Sequence, residues 1–481
     1  MPVSPLATTF YADWRLQHGK SDFFHEPQSS VPERLLQIIW HHQRLLRDQL
    51  KTLDGKTVRI LHPGFWNHEA GPDFRGAVLQ IGTDRAKSGD VEIDLRSEGW
   101  RHHGHDRNPH FTNVILHVVW EPDLASKIPA PTLALKPFLD SPLEELSLWL
   151  GTDSAKSFPI NSAGQCCAPL RDLSKDALTK LLEQAAFVRL QRKASEFAAR
   201  ARQAGWEQSL WEGIFRALGY KQNVWPMQQL GELSTKFHDE DATPIFLQAC
   251  LFGVSGLLPV QPEESENEVY LKGIWDIWWR ERHAASDLIF PKTVWRFNGM
   301  RPANHPQRRL ALVSHWLADK RFFKKLEKWF MASTGSPENA LLDLLQVKDD
   351  PFWSCHWTFL SVRLPKPQPL IGAARVTDLA INVILPWFWI RAEAGKNEEL
   401  KRRAEQIYFN WPAAEDNSVL RLARHRLLGG LARRQLATAA SQQGLLQIVK
   451  DFCEHSNAVC ADCSFPDLVR GWNQSTRSST E

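Results

Sequence analysis

The chain predicts an α+β protein, with a mixed α/β domain near the N-terminus followed by a mostly α-helical domain. Three observations carry that prediction. Between residues 57 and 120, short apolar stretches alternate with turn formers, which is the mark of strands. From Ser174 onward apolar residues recur at three- and four-residue spacing through most of the chain, which is the mark of helices. The length, 481 residues, exceeds what one hydrophobic core usually organises, so more than one domain is expected.

Residues 1–30 are polar and irregular and read as an arm. Pro32-Glu33-Arg34-Leu35-Leu36-Gln37-Ile38-Ile39-Trp40 opens a helix, with Pro near the first turn and apolar residues at helical spacing through Leu46. Thr57-Val58-Arg59-Ile60-Leu61 reads as a strand. Two more follow, in Gly71-Pro72-Asp73-Phe74-Arg75-Gly76-Ala77-Val78-Leu79-Gln80-Ile81 and in Ser88-Gly89-Asp90-Val91-Glu92-Ile93-Asp94-Leu95, separated by Gly82, Thr83 and Asp84. The His-rich segment 100–106 reads as a helical turn or a loop. Val114-Ile115-Leu116-His117-Val118-Val119-Trp120 is nearly all apolar, as in a strand buried on both faces. This α/β domain spans 31–125.

Pro129, Pro131, Pro137 and Pro142, with the Gly/Ser-rich stretch 151–164, mark 126–173 as a loop-rich linker. After Ser174, a plausible N-cap, Leu178, Leu181, Leu182, Ala185, Ala186, Val188, Leu190 and Ala194 describe one long amphipathic helix. Further helices fit 207–219, 226–236, 243–253, 270–283, 307–318, 321–332, 338–346, 376–393, 397–409, 418–428 and 432–453. The helical domain therefore spans 174–450, and a Cys-containing segment, 451–481, ends the chain.

Asp73 and Glu92 are the most informative pair. Strand alternation puts Glu92 and Asp94 on one face and Val91, Ile93 and Leu95 on the other. A hairpin brings Asp73 alongside that acidic face. Converging carboxylates suit Mg²⁺ or Mn²⁺, ions that drive phosphodiester hydrolysis. The bland alternative is a solvated face on two hairpin strands.

The order helix, three strands, helix or loop, strand, with eighteen residues between Asp73 and Glu92, resembles the restriction-endonuclease-like (PD-(D/E)XK) nuclease core. The resemblance implies that Asp73 and Glu92 ligate the metal, that Glu33 on the first helix assists, and that a Lys follows the Glu by two residues. Here that position is Asp94. An acidic side chain cannot supply the positive charge, so either another group substitutes or the site is inactive. His102, His103, His105 and His117 are the candidates nearby.

A second resemblance covers nearly the whole chain. Gly64-Phe65-Trp66-Asn67-His68-Glu69-Ala70-Gly71-Pro72-Asp73-Phe74, Gly89-Asp90-Val91-Glu92-Ile93, Trp100, His103, His105, the strand through His117, and Arg301-Pro302-Ala303-Asn304-His305-Pro306-Gln307-Arg308-Arg309 carry it, with Asn382 to Pro386 and the terminal cysteines. The chain resembles a bacterial family of uncharacterised proteins, one of the domains of unknown function. That resemblance implies no activity.

Net charge is only +3, so no global basic field announces a nucleic-acid partner. The stretch 280–325 is different: eleven Lys or Arg stand against three acidic residues, interleaved with Trp295, Phe297, Trp316, Phe322 and Phe323. Clustered charge among aromatics suits a phosphate backbone and stacked bases, which makes Arg296, Arg301, Arg308 and Arg309 candidate DNA or RNA contacts. Solvated helix faces look the same. Most of the 21 Trp are expected in cores and domain interfaces.

Cys453, Cys460 and Cys463 form Cys-x₆-Cys-x₂-Cys after a predicted helix, a spacing that suits Zn²⁺ or an iron–sulfur cluster. It is similar to the first three ligands of the iron–sulfur loop in endonuclease-III-like glycosylases, with Val469 where the fourth Cys would stand. Cys166, Cys167, Cys250, Cys355 or His455 is the candidate fourth ligand. The alternative is reduced thiols beside a helix end. Seven scattered Cys do not suggest a disulfide framework. The start of the chain lacks a secretory pattern, and the apolar run 379–390, interrupted by Asn382 and Pro386, reads as too short to span a bilayer. A soluble, cytoplasmic protein is expected.

Three functions fit this reading. The first is a metal-dependent nuclease or nucleic-acid-processing protein with Asp73 and Glu92 as metal ligands, Asp94 and Glu33 as candidate extra ligands, and Asp94, His103 and His105 as further catalytic candidates. The second is an inactive nuclease-fold scaffold that binds nucleic acid or protein. The third is a metallohydrolase of a small substrate built on the His cluster, where His-x-His favours Zn²⁺ or Mn²⁺. Oligomeric state is not readable from the sequence.

Overall fold

A computed structural model describes residues 9–15, 31–67, 71–123, 128–150, 166–237, 242–259, 268–298, 300–332, 335–429, 436–453 and 463–478. Its first long element there, α1 (Glu33–His42), begins after an extended Pro32 and buries Leu35, Leu36, Ile38, Ile39 and Trp40. The helix stops at His42, short of the Leu46 expected. Gln43 turns left-handed (φ 52°), and its side-chain amide donates to the Trp40 carbonyl at 2.6 Å. A polar residue that can satisfy a terminal carbonyl ends the helix before the apolar spacing does.

Six strands form one mixed sheet: β1 (Val58–His62), β2 (Phe65–Trp66), β3 (Phe74–Ile81), β4 (Lys87–Arg96), β5 (Val114–Glu121) and β6 (Thr132–Ala134). The order is β1-β3-β4-β5-β6, with β2 paired to β3. The pairs β1–β3, β2–β3 and β3–β4 are antiparallel, whereas β4–β5 and β5–β6 are parallel. A short helix, α2 (Gly99–His102), and two 3₁₀ turns carry the chain from β4 to β5. β6 lies in the stretch read as loop-rich, as does the helix Leu143–Leu150. Three residues between prolines are too few to display alternation, so β6 owes its existence to β5 beside it.

One face of the sheet is apolar. Phe74, Leu79, Val91, Ile93, Leu116 and Val118 pack with α1 and with the first turns of α3 (Lys175–Ala204). Helix α3 is the expected long helix, capped by the Ser174 hydroxyl, which accepts from the Ala177 amide at 3.1 Å. Its Leu181, Leu182 and Ala185 belong to the sheet's core, whereas its Ala186, Leu190 and Ala194 belong to a second core built almost wholly from helices. A single 30-residue helix therefore reaches both cores. At their boundary Glu212 takes both Arg47 (3.3 Å) and Arg200 (2.8 Å) as ion-pair partners.

The remaining helices follow the apolar spacing closely, among them Trp206–Leu218, Pro244–Val254, Pro306–Ala318 and Glu398–Asn410. Trp40, Trp353, Trp387 and Trp411 are fully enclosed. The apolar run at 379–390 belongs to a continuous helix, Ala373–Ala394, with a π turn at Ala380–Ile384. At 22 residues that helix is long and apolar enough to cross a membrane, which corrects the shorter estimate; 67 % of its most apolar window is buried within the protein. Its Pro386 sits where the π turn ends, because a residue without an N–H is tolerated where the helical bonding pattern is already shifted.

Candidate metal centre

The other face of the sheet carries the acidic residues, for a reason local to the strands. Val91 and Ile93 point into the core, so Glu92 and Asp94 point away from it. Phe74 pairs with Val91 across the antiparallel β3–β4 ladder, so Asp73, one residue before β3, stands opposite Glu92. Two hydrogen bonds lock this pairing. The Asp73 amide donates to Glu92 Oε2 at 3.0 Å, and the Ile93 amide donates to Asp73 Oδ2 at 3.1 Å. The turn into β2 approaches β3 closely at Gly64, whose backbone is left-handed (φ 100°) and where a Cβ would stand 2.8 Å from Phe74 Cβ.

Helix α1 adds two residues. Gln37 donates to Asp73 Oδ1 at 2.9 Å and reaches Glu33 Oε1 at 3.4 Å. Glu33 and Gln37 are four residues apart, on one face of the helix. That spacing is present in the sequence, but an amide carries no charge that would mark Gln37 as part of an acidic site.

The electrostatics are unfavourable to a bare site. Burial, followed by repulsion from Glu33 and from Asp94, pushes the Asp73 carboxyl above the usual carboxylate range. Burial and repulsion from Asp73 push Glu92 up as well. Backbone hydrogen bonds pull both down without overcoming these effects. Among the described residues, no Lys or Arg pairs with Asp73, Glu92 or Asp94.

Asp94 is 2 % exposed and engages two imidazoles: His117 Nε2 lies 2.9 Å from Oδ2, and His103 Nδ1 lies 3.2 Å from Oδ1. His117 is buried on the central strand and bonded to the carboxylate, whereas His103 is about half exposed. His105 is 8 % exposed, stacked on Phe111 at 3.9 Å between centroids and edge-on to Trp100. Its Nδ1 faces Glu92 Oε1 at 3.5 Å, within reach of an ion pair but without a hydrogen bond. Burial lowers the pKa of this imidazole, which favours the neutral form that ligates metals. Ligand atoms of Glu92, Asp94 and His105 all lie within 4.8 Å of one another.

A buried nitrogen without a partner, aimed at carboxylates that repel one another, fits a cation. Two oxygen donors with one imidazole suit Mn²⁺ or Zn²⁺ better than Mg²⁺. Gly99 sets how closely α2 approaches, because a Cβ there would stand 2.6 Å from Asp94 Oδ1. Gly99→Ala is therefore expected to push α2 off the sheet and to cost about 1–3 kcal/mol. An unchanged melting temperature in that variant would show that the segment adapts freely.

The other candidates fall elsewhere. His102 is exposed. Arg308 and Arg309 are 0 % and 3 % exposed, and the phosphate-contact reading fails for both. The Arg308 guanidinium donates to the carbonyls of Trp353, His356, Gln368 and Pro369, and Arg309 donates to that of Leu370. They tie the 353–370 segment to the helix Pro306–Ala318, and their charge serves that structural task. Arg296 and Arg301 are exposed. Cys453 is buried at the end of the π turn Val449–Cys453, and Cys463 is half-buried with its sulfur 3.9 Å from the Phe452 carbonyl. Cys460 and His455 lie outside the described residues.

A family model described as a protein of unknown function (DUF2851) matches residues 33–418, and the chain belongs to that family. No curated protein and no solved structure matches it.

Proposed function

We propose that the chain is a divalent-metal-dependent phosphodiesterase acting on nucleic acid, on a divergent restriction-endonuclease-like core. The order of elements supports the core: α1, three antiparallel strands (β1, β3, β4), α2, then β5 parallel to β4. One observation carries the chemistry. Asp73 is half-buried and Glu92 buried, each is hydrogen-bonded to the other's strand, neither has a Lys or Arg partner among the described residues, and His105 Nδ1, without a hydrogen bond of its own, faces Glu92. Asp73, Glu92 and Asp94 would hold the ion with His105, and Glu33 would act from α1 through Gln37. A divalent ion in such a site lowers the pKa of water and offsets the charge of the scissile phosphate.

The chain's own contribution centres on the position where the nuclease pattern has Lys. Asp94 orients His103, which is exposed enough to reach substrate. His103 is the group we assign to proton transfer with the leaving oxygen. His117 holds the other Asp94 oxygen and fixes that orientation. The rival reading, a scaffold without chemistry, draws on the same residue, since Asp94 replaces a cation. A cleavage assay on DNA and RNA substrates with Mn²⁺, Zn²⁺ or Mg²⁺ tests the proposal. Cleavage is expected to be strongest with Mn²⁺ and lost in chelator. Absence of cleavage with all three ions would favour the scaffold.

A further inference from the structure

Next to the acidic centre the same face of the sheet carries an aromatic and basic surface that the metal site does not need. Phe65 of β2 pairs with Arg75 of β3, so the two side chains share a face. Strand alternation puts Asp73 on that face too, two residues from Arg75 and roughly 7 Å along the strand. Phe65 is 45 % exposed, although its ring rests on His62 at 4.7 Å between centroids. Arg296 lies over the ring, with its guanidinium carbon 5.3 Å from the centroid. The next residue, Phe297, is 43 % exposed and stacked on His305 at 5.0 Å and 8°.

Buried groups anchor the Trp295–Arg296 segment of this surface. Asn223, 0 % exposed, bonds both the amide and the carbonyl of Arg296 at 2.8 Å. Trp295 is buried, and its indole donates to the Ser255 carbonyl at 2.8 Å. The chain thus anchors Trp295 inside and presents Arg296 and Phe297 outward. Exposed phenylalanines backed by imidazoles, with the Arg296 guanidinium over Phe65, match the alternating apolar and anionic character of one partner class. Bases stack on rings, and phosphates meet guanidiniums. In a duplex the bases stack on one another and leave no ring face for Phe65 or Phe297.

We infer that Phe65, Phe297 and Arg296 form a binding surface for single-stranded DNA, which delivers a strand to the Asp73–Glu92 centre. The second half of that statement rests on the nuclease reading, whereas the binding surface stands without it. Stacking on Phe65 and Phe297 and a phosphate contact to Arg296 use no 2′-hydroxyl, so a deoxyribose strand satisfies each of these contacts.

Fluorescence anisotropy with a labelled oligothymidine, in chelator, measures the binding without any chemistry. Wild-type protein is expected to bind the single strand at least 10-fold more tightly than the matching duplex. Phe65→Ala and Phe297→Ala should each weaken binding about 10-fold, as expected for loss of one stacked base. Phe65→Trp should retain it. Arg296→Gln should weaken binding and flatten its salt dependence by about one unit of slope. An abasic strand should lose the sensitivity to Phe65 and keep the sensitivity to Arg296. Equal or tighter binding of duplex, tighter binding of the matching RNA, or alanine variants that bind like wild type would each overturn the inference. Binding that follows these expectations in a protein that never cleaves would leave the surface in place and remove the nuclease reading alone.

Discussion

Glu92→Gln is expected to abolish divalent-ion binding while raising the stability of the metal-free protein. The amide oxygen of Gln still accepts from the Asp73 amide, so the β3–β4 pairing survives. What disappears is a charge. Changes to groups that merely orient a ligand cost about 10–100-fold in metal affinity, so losing a ligand should exceed about 100-fold, with cleavage falling at least as far. The stability effect has the opposite sign. Burial and Asp73 raise the folded pKa of Glu92 above its unfolded value, so the unfolded chain ionises first. That contribution to stability is fully present below about pH 4.3 and is lost as pH rises toward the folded pKa. The Gln variant lacks this loss, and its advantage in melting temperature over metal-free wild type should grow with pH. Melting curves at pH 5 and pH 8, with and without Mn²⁺, read both effects. A variant that Mn²⁺ stabilises as strongly as wild type would remove Glu92 from the site.

Asp94→Lys separates a working site from a decayed one. The substitution restores the charge that the nuclease pattern has two residues after its Glu, but here it removes the carboxylate that holds His103 and His117. His117 is 0 % exposed, and leaving its nitrogen without a partner should cost about 1–3 kcal/mol. The ammonium would gain Glu92 as a neighbour and would compete there with a divalent ion. The expected outcome is a folded protein, several degrees less stable, with metal binding and cleavage both reduced by more than about 100-fold. Cleavage by the Lys variant where wild type is inert would reverse the assignment of Asp94 and make the natural site a decayed nuclease. Asp94→Asn is the companion variant. It retains a polar partner for the histidines, so it should lose metal with little loss of stability.

Local rules explain why much of this molecule was legible. Helical spacing after Ser174 depends only on neighbours three and four residues apart, and the helices follow it. The facing of Glu92 and Asp94 follows from strand alternation, which is equally local. Cap chemistry was less legible: Gln43 ended α1 before the apolar pattern did. Basic side chains were the least legible. Arg308 and Arg309 belong to the same basic, aromatic stretch as Arg296, yet two are buried against backbone carbonyls and one lies open beside Phe65. Those carbonyls come from residues 353–370, about fifty positions away, and no window around the arginines contains them.

The division follows the range of the forces involved. By itself the sequence determined the α+β class, the helical second part and the acidic face of β4, because periodicity and turn chemistry act over a few residues. Tertiary structure alone decided that Gln37 joins the carboxylates, that His105 faces Glu92 while His103 and His117 hold Asp94, and which arginines remain at the surface. Each of those outcomes depends on burial and on partners brought from distant segments. Burial also separates histidines that look alike in sequence, since it closes His105 beneath Trp100 and Phe111 and leaves His103 at the edge.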